Sequence, residues 1–260
     1  MLIILLPIFN EEESIDSLFG TLKTYLDAKK YEYKIIACDD GSKDASSKKL
    51  EFYSQKMPVD ILRHKINRGL GETARDLFER AAEISRNGDI ILRLDCDCTH
   101  EPQYFEALAN KINEGYDVVT TSRFAKDGGQ KGINSYRAFI SYCATWYMRI
   151  LLPIKGIQEY TCGFRAYRAS IIKEAVSFYG NNFIELKGLG FTCTLEKIVK
   201  LNLLGAKFAE VPFVLRYDKK KSKSKMVSSV TTIGYFLMAL LYHWPFSGWK
   251  AQTKKRLKKT

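Results

Sequence analysis

The sequence predicts an α/β fold, a mostly parallel sheet flanked by helices. Three observations carry that prediction. Short runs rich in Ile, Leu and Val alternate with stretches of helical spacing through the first half of the 260-residue chain. The runs are nearly continuous in apolar residues, as strands buried on both faces are. Polar clusters follow most of them, at Asn10 to Glu13, Asp39 to Ser42, Asn67 to Gly71 and Asp95 to Glu101. Alternating strand and helix implies parallel pairing, and ligands of such sheets sit at the carboxyl ends of the strands.

Leu2 to Leu6 reads as the first strand, and Ile15, Leu18, Leu22 and Leu26 recur at the three-to-four spacing of a helix face. Strands at Lys34 to Cys38 and Val59 to Leu62 come next. The helix marked by Ala74, Leu77, Phe78, Ala81 and Ile84 leads to the most hydrophobic strand, Asp89 to Leu94, and Asp117 to Thr121 is the fifth. After Ser122 the rhythm changes. A Gly-rich loop, Asp127 to Gly132, precedes a long apolar helix candidate, Tyr136 to Ile154, that carries Arg137 and Arg149. A polar turn at Glu159 to Arg165, a helix near Phe191 to Leu204 and a strand near Lys207 to Leu215 complete the body. A basic run, Lys219 to Lys225, then enters the apolar stretch Val227 to Phe246. The expected organisation is a catalytic domain over 1–226, followed by an apolar helix and basic tail over 227–260 that associates with a membrane.

Charge is unevenly placed. Of the formal +12, +11 lies in Arg216 to Thr260, which holds twelve Lys or Arg and one acid, Asp218. A basic tail on a nearly neutral body suits an anionic surface beside the protein, phospholipid or nucleic acid, better than an acidic ligand inside it. Six cysteines without zinc-type pairing read as reduced thiols in a cytosolic setting. Pro7 and Asn10 interrupt the first apolar run too early for a signal peptide.

Asp95-Cys96-Asp97 closes the fourth strand, where residues two apart share a face. Two adjacent carboxylates repel unless a cation neutralises them, and hard oxygen ligands favour Mg²⁺ or Mn²⁺ shared with substrate phosphates. Alone, Asp-x-Asp is common by chance. Beside it, Pro7-Ile8-Phe9-Asn10-Glu11 follows the first strand and Asp39-Asp40-Gly41-Ser42 the second, while Arg68-Gly69-Leu70-Gly71 offers a cation and open backbone to a diphosphate.

Together and in this order, these segments resemble the family-2 glycosyltransferases of the GT-A (Rossmann-like) fold. The closest likeness is to the dolichyl-phosphate mannosyltransferase and polyprenyl-phosphate glycosyltransferase branch, over about residues 1 to 226. The resemblance implies that Pro7, Phe9, Glu11 and Asp40 hold the nucleoside, that Gly69 and Gly71 lie at the donor, and that Asp95 and Asp97 hold the metal and diphosphate. Thr121-Ser122-Arg123-Phe124 looks like the branch's Gly-Ser-Arg-(aromatic) segment. Arg137 and Ser141 match the positions that open its amphipathic helix, which implies an acceptor-phosphate site of Arg123, Arg137 and Ser141. Gly163-Phe164-Arg165-Ala166, Glu196, Val211-Pro212 with Arg216, and Ser224-Lys225-Met226 match later motifs, placing Arg216 and Lys225 at the donor. Thr99 stands where the branch has Gln and Glu101 precedes Pro102; the Gly before Ser-Lys is absent. These departures bear on donor and metal preference and on closure of the last loop.

The implied reaction is inverting transfer of a hexose from GDP-mannose or UDP-glucose to a polyprenyl or dolichyl phosphate at the cytoplasmic face of a membrane. A phosphate monoester, with its second pKa near about 6, is anionic at neutral pH, so a strong general base is dispensable. Asp95 and Asp97 through a metal would support the leaving diphosphate, with Asp97, Arg123 and Arg137 as the catalytic set. His100 reads as an ordinary loop residue, and Glu196 as a helix-face partner of Lys200. Peripheral attachment through 227–246 and the basic tail is expected, with a single span or core packing of that segment as alternatives. Three rivals remain. One is a transferase acting on a carbohydrate or peptidoglycan-like hydroxyl; another, a processive polysaccharide synthase, lacks its Gln-x-x-Arg-Trp motif here. A nucleic-acid-binding reading is disfavoured because aromatic residues are not interleaved with the Lys clusters.

Overall fold

The computed structural model describes residues 1–133, 135–220, 228–245 and 248–258, with the backbone alone for 135–137 and 228. The elements in chain order are β1 (Leu2–Ile8), α1 (Glu12–Ala28), β2 (Tyr33–Asp39), α2 (Ser46–Ser54), β3 (Val59–Arg63), α3 (Leu70–Ile84) and β4 (Ile90–Arg93). There follow α4 (Phe105–Asn113), β5 (Val118–Ser122), β6 (Gly129–Lys131), α5 (Ser135–Leu151), β7 (Arg165–Arg168), α6 (Ala169–Tyr179) and α7 (Thr192–Leu203). Last come β8 (Phe208–Pro212), β9 (Val214–Arg216), α8 (Ser228–His243) and α9 (Trp249–Leu257).

Seven strands form one sheet in the order β3-β2-β1-β4-β7-β5-β8. All run parallel except β7, which is antiparallel to both β4 and β5. The carboxyl ends of six strands therefore share one edge. Successive β1 residues alternate between two cores: Ile3 and Leu5 enter one, Leu2, Ile4, Leu6 and Ile8 the other. This period of two, with both faces covered, is why the strand reads as an unbroken apolar run.

Several sequence-based boundaries shift for local reasons. β1 continues one residue past Pro7. Leu5 accepts the Leu94 N–H while Ile8 accepts that of Asp40, so residue 7 faces the β4 side, beyond the point where β4 ends opposite Leu5. Its missing N–H therefore costs no ladder bond. α5 stops at Leu151, two residues before Pro153. The strand expected near Lys207 to Leu215 is two pieces, because Phe213 turns into the core while its backbone bonds Ser122 and Gly129. β9 beyond it pairs with β6 in a second, two-stranded sheet. Strand β7, read from sequence only as a turn, has Arg at both ends and no apolar run to announce it.

α8 and α9 pack against the main body. Met238, Tyr242 and Trp249 join the larger core, and the Trp249 indole donates to Glu185 at 2.8 Å. Only one side of α8 is covered. Its outer side presents Ile233, Phe236, Leu237 and Leu240. Among the described residues no helix is long and apolar enough to cross a membrane.

Phe78 ties the helices to the sheet, with edge contacts to Tyr167 at 5.2 Å and Phe183 at 6.1 Å. The buried Lys197 ammonium lies 4.9 Å over its ring, and burial pushes that ammonium down to about 8. Phe78→Ala is expected to cost about 3–5 kcal/mol, as loss of a fully buried ring does, and urea unfolding would read it.

Candidate active site

The loops after β1 and β2 brace each other. Asn10, in the left-handed region at φ 49, donates its N–H to Ser42 Oγ (2.9 Å) and accepts the Lys43 N–H on Oδ1 (2.8 Å). Glu11 N–H reaches Ser46 Oγ at 2.8 Å, and the Glu12 carboxylate accepts the Ala45 N–H at 2.8 Å. Asp39 accepts the Ser42 N–H and the Ser47 hydroxyl. The Asn-Glu-Glu and Asp-Asp-Gly-Ser segments are thus one hydrogen-bonded unit, with Pro7 and Phe9 half-buried beside it.

Asp40 is buried and accepts the backbone N–H groups of Arg68 (2.8 Å) and Gly69 (2.9 Å). His64 Nδ1 lies 2.6 Å from the same carboxylate, and its Nε2 lies 2.9 Å from Asp76. Sequence reasoning missed His64, which lies just before the Asn67 to Gly71 cluster and outside every segment it matched. Asp40 therefore shapes the turn that begins α3. Gly69 enters that turn at φ +88; at Gly71 a Cβ would sit 2.3 Å from the Lys187 carbonyl oxygen, so its open backbone is occupied by the chain itself. The Lys187 loop is held in turn by Glu196, which accepts the N–H groups of Glu185 and Leu186 and pairs with Lys200 at 2.5 Å, the partner expected from sequence.

Asp95 and Asp97 do not lie on one strand face. β4 ends at Arg93 and the chain bends, with Cys98 at φ 64, so the strand geometry expected for this pair is replaced by a turn. Arg93, buried in the sheet, reaches Asp95 at 2.7 Å. A Cβ on Gly163 would fall 1.9 Å from Arg93 Nη1, so the Gly of the Gly-Phe-Arg-Ala segment is the space through which that guanidinium passes. His100 is more than a loop residue: buried and stacked on Phe164 at 5.0 Å, it accepts the Asp95 N–H on Nδ1 at 2.9 Å. Asp97 accepts the Thr99 hydroxyl at 2.6 Å and pairs with Lys220. The two carboxylates fit a hard divalent cation. A cation bound there would find further ligands in phosphate oxygens and water, the usual habit of Mg²⁺.

At the end of β5, Arg123 makes a bidentate pair with the fully buried Glu159, at 2.7 and 3.0 Å. It also donates to Thr161 Oγ1 at 3.0 Å and Ser141 Oγ at 3.3 Å. Burial pushes the Glu159 carboxyl up, but the Arg123 guanidinium and the Thr161 hydrogen bonds outweigh it and hold the group below its ordinary value. Arg123 and Ser141 are thus brought together as expected. Arg137 is in the first turn of α5; its side chain lies outside the described residues, as does Lys225 altogether. Arg216 pairs with Asp218 at 2.7 Å on the strap after β9.

A mostly parallel sheet carrying two braced loops after β1 and β2, a two-carboxylate bend after β4 and the Arg123–Glu159 cluster after β5 is the arrangement of a GT-A glycosyltransferase. The chain belongs to glycosyl transferase family 2, whose family model matches residues 3–176. It is 30% identical over 239 residues to a dolichol-phosphate mannosyltransferase of Pyrococcus furiosus, covering 90% of this chain and 63% of that protein. It is 28% identical over 171 residues to an undecaprenyl-phosphate 4-deoxy-4-formamido-L-arabinose transferase of Pseudomonas fluorescens, covering 65% and 47%. The chain thus spans less than two thirds of the length of either relative. In fold it is similar to glucosyl-3-phosphoglycerate synthase from Mycobacterium tuberculosis crystallised with Mn²⁺ and UDP, at a TM-score of 0.58 and 16% identity over 93% of this chain and 78% of that one. The same enzyme with Mg²⁺ and UDP gives a TM-score of 0.60.

Arg123→Ala would strand the buried Glu159 charge and is expected to cost about 3–5 kcal/mol. Because Glu159 is held below its ordinary 4.5, the pair's contribution is complete above that pH and is lost as pH falls below it. Thermal melts of wild type and variant from pH 7 to pH 3 should therefore converge at the acid end.

Proposed function

We propose that the protein is an inverting glycosyltransferase that moves a hexose from a nucleotide-sugar to a polyprenyl-type lipid phosphate at the cytoplasmic face of a membrane. The observation that carries this reading is the pairing of two clusters. The Asp95–Asp97 bend follows β4 and the Arg123–Ser141 cluster follows β5, with only β7 between these strands. Two strand spacings are roughly 10 Å, room for a sugar with its diphosphate on one side and a phosphate on the other. The named activities of the two relatives, both lipid-phosphate sugar transferases, support it.

In this mechanism Pro7, Phe9 and Glu11 line the nucleoside, while Asp40 fixes the turn carrying Arg68, Gly69 and Gly71 beside it. Asp95 and Asp97 hold Mg²⁺ or Mn²⁺, which supplies positive charge to the leaving diphosphate; Arg216 and Lys225 contribute from the last loop. Arg123, Arg137 and Ser141 orient the acceptor phosphate, already anionic at neutral pH, for attack on the anomeric carbon from the face opposite the leaving group. A sugar-hydroxyl acceptor would instead need a general base. The buried acid nearest the acceptor cluster, Glu159, is committed to Arg123, Thr161 and Cys162, which favours the phosphate.

The membrane reading has a physical surface behind it. α5 exposes Phe139, Ile140, Trp146 and Ile150, and α8 exposes Phe236 and Leu240. Tyr147 meets Phe236 edge-on at 5.3 Å, so the two helices touch where these side chains are exposed or half-buried. Basic side chains of α9, Lys250, Lys254 and Lys255, lie beyond it in the chain. That pairing of an apolar face with Lys-rich flanks suits peripheral attachment to an anionic bilayer.

Isothermal titration of GDP-mannose and UDP-glucose, each with Mn²⁺, Mg²⁺ or EDTA, is expected to show metal-dependent binding of one donor that Asp97→Ala abolishes. Absence of donor binding under every condition would overturn the transferase reading. In flotation assays with phosphatidylglycerol vesicles, Phe236→Glu/Leu240→Glu is expected to weaken binding of the full chain by more than about tenfold, since each buried Phe or Leu contributes about 1.5–3 kcal/mol. Unchanged flotation would remove this face from the membrane.

A further inference from the structure

Deepening the proposed function and resting on its metal site, we propose that Lys220 is a resident counter-ion of that site: it holds Asp97, and with it the strap 216–220, until a divalent cation displaces it. Asp97 is buried, and a buried carboxylate without a partner is strongly disfavoured. The buried His100 lies near it, and its ion-pair partner among the described residues is the Lys220 ammonium, which arrives from 123 positions along the chain. Thr99 adds its hydroxyl and N–H to the same oxygen, Oδ1, and Lys220 takes Oδ2. Both carboxylate oxygens are thus engaged.

Lys220 is placed by the strap rather than by its own reach. β9 is pinned to β6 from Val214 to Arg216. Gly132 packs so closely on the strap that a Cβ there would fall 2.6 Å from the Asp218 nitrogen. Lys219 pairs with Glu101 at 2.5 Å, and the Lys220 N–H returns to the Tyr217 carbonyl at 3.2 Å. The strap is therefore fastened to the β4 loop at two adjacent lysines.

A dication and an ammonium compete for Asp97, because like charges at contact distance repel. In this proposal metal entry displaces Lys220. Metal binding alone then carries the cost of breaking the Lys220–Asp97 pair, and the displaced ammonium is left beside the place where a diphosphate would lie. A diphosphate gives it a new partner, so metal and nucleotide are expected to bind with positive and reciprocal coupling.

The test uses the full chain and Mn²⁺ alone, with free Mn²⁺ read by electron paramagnetic resonance. Lys220→Met is expected to tighten Mn²⁺ binding by about tenfold, the ordinary size of such a coupling. Lys220→Gln should do the same, and Lys220→Arg should keep the weak wild-type affinity. Lys219→Met removes an equal charge from the same strap without touching Asp97 and should change affinity less than about twofold. Amide exchange across residues 216–220 of wild type should rise when Mn²⁺ is added. Measurable Mn²⁺ binding that is equal in wild type and Lys220→Met, or an equal gain in Lys219→Met, would overturn the counter-ion while leaving the metal site standing. If neither wild type nor Lys220→Met binds Mn²⁺, both the counter-ion and the metal reading fall.

Discussion

Charge compensation of buried carboxylates is the constraint on which the site depends. Asp40 faces His64, Asp95 faces Arg93, Asp97 faces Lys220, Glu159 faces Arg123 and Glu196 faces Lys200. All but the partly exposed Asp95 lie in the interior, where an isolated charge is far more costly than in water and a broken pair leaves that cost uncovered. The pairs do not by themselves argue for stability. What they fix is position, because the partners come from different elements: Arg93 from β4, His64 from the segment after β3, Arg123 from the end of β5 and Lys220 from the strap. Satisfying these acids ties four separate segments to one edge of the sheet, while Glu196 and Lys200 pair within α7.

Glycines complete that placement. Gly163 leaves the channel for the Arg93 guanidinium, and Gly71 leaves the space for the Lys187 backbone. Neither needs an unusual φ; both are positions where any side chain would collide with what the site requires. The Gly-Phe-Arg-Ala segment, matched in sequence without an assigned role, thereby acts at one remove. It makes room for the residue that orients Asp95.

The parallel sheet and its strand ends were legible because both-face burial leaves continuous apolar runs, as in Leu2–Ile8 and Ile90–Arg93. The site residues were legible as motifs, and Arg123 with Ser141 do meet. Their partners were not. Arg93 sits inside an apolar run, His64 and Glu159 lie apart from the matched patterns, and Lys220 is one of several lysines in a basic run; pairing across dozens of residues leaves no local signal. β7 escaped because four residues flanked by arginines have no period to read. The turn at Asp95 to Cys98 escaped because the strand pattern alone gives no sign that β4 ends at Arg93.

These pairings also explain how one edge of the sheet can serve two anions. In the proposed reaction a diphosphate leaves and a monophosphate attacks, and both need cations that do not bind the ground state too firmly. Arg123 meets this by sharing its guanidinium with Glu159, so that it arrives oriented and largely neutralised rather than as a bare charge that would suppress the nucleophile. Net positive charge toward the acceptor must then come from a second group, and the first turn of α5, one helical turn before Ser141, is where Arg137 stands. On the donor side the balance is opposite. Two carboxylates await a cation, Arg93 offsets one and Lys220 the other, and a metal bound there would convert a paired, nearly neutral cluster into a positive one only when a diphosphate is present to meet it. Separating the two anion sites by a single reversed strand keeps these opposite balances from cancelling each other.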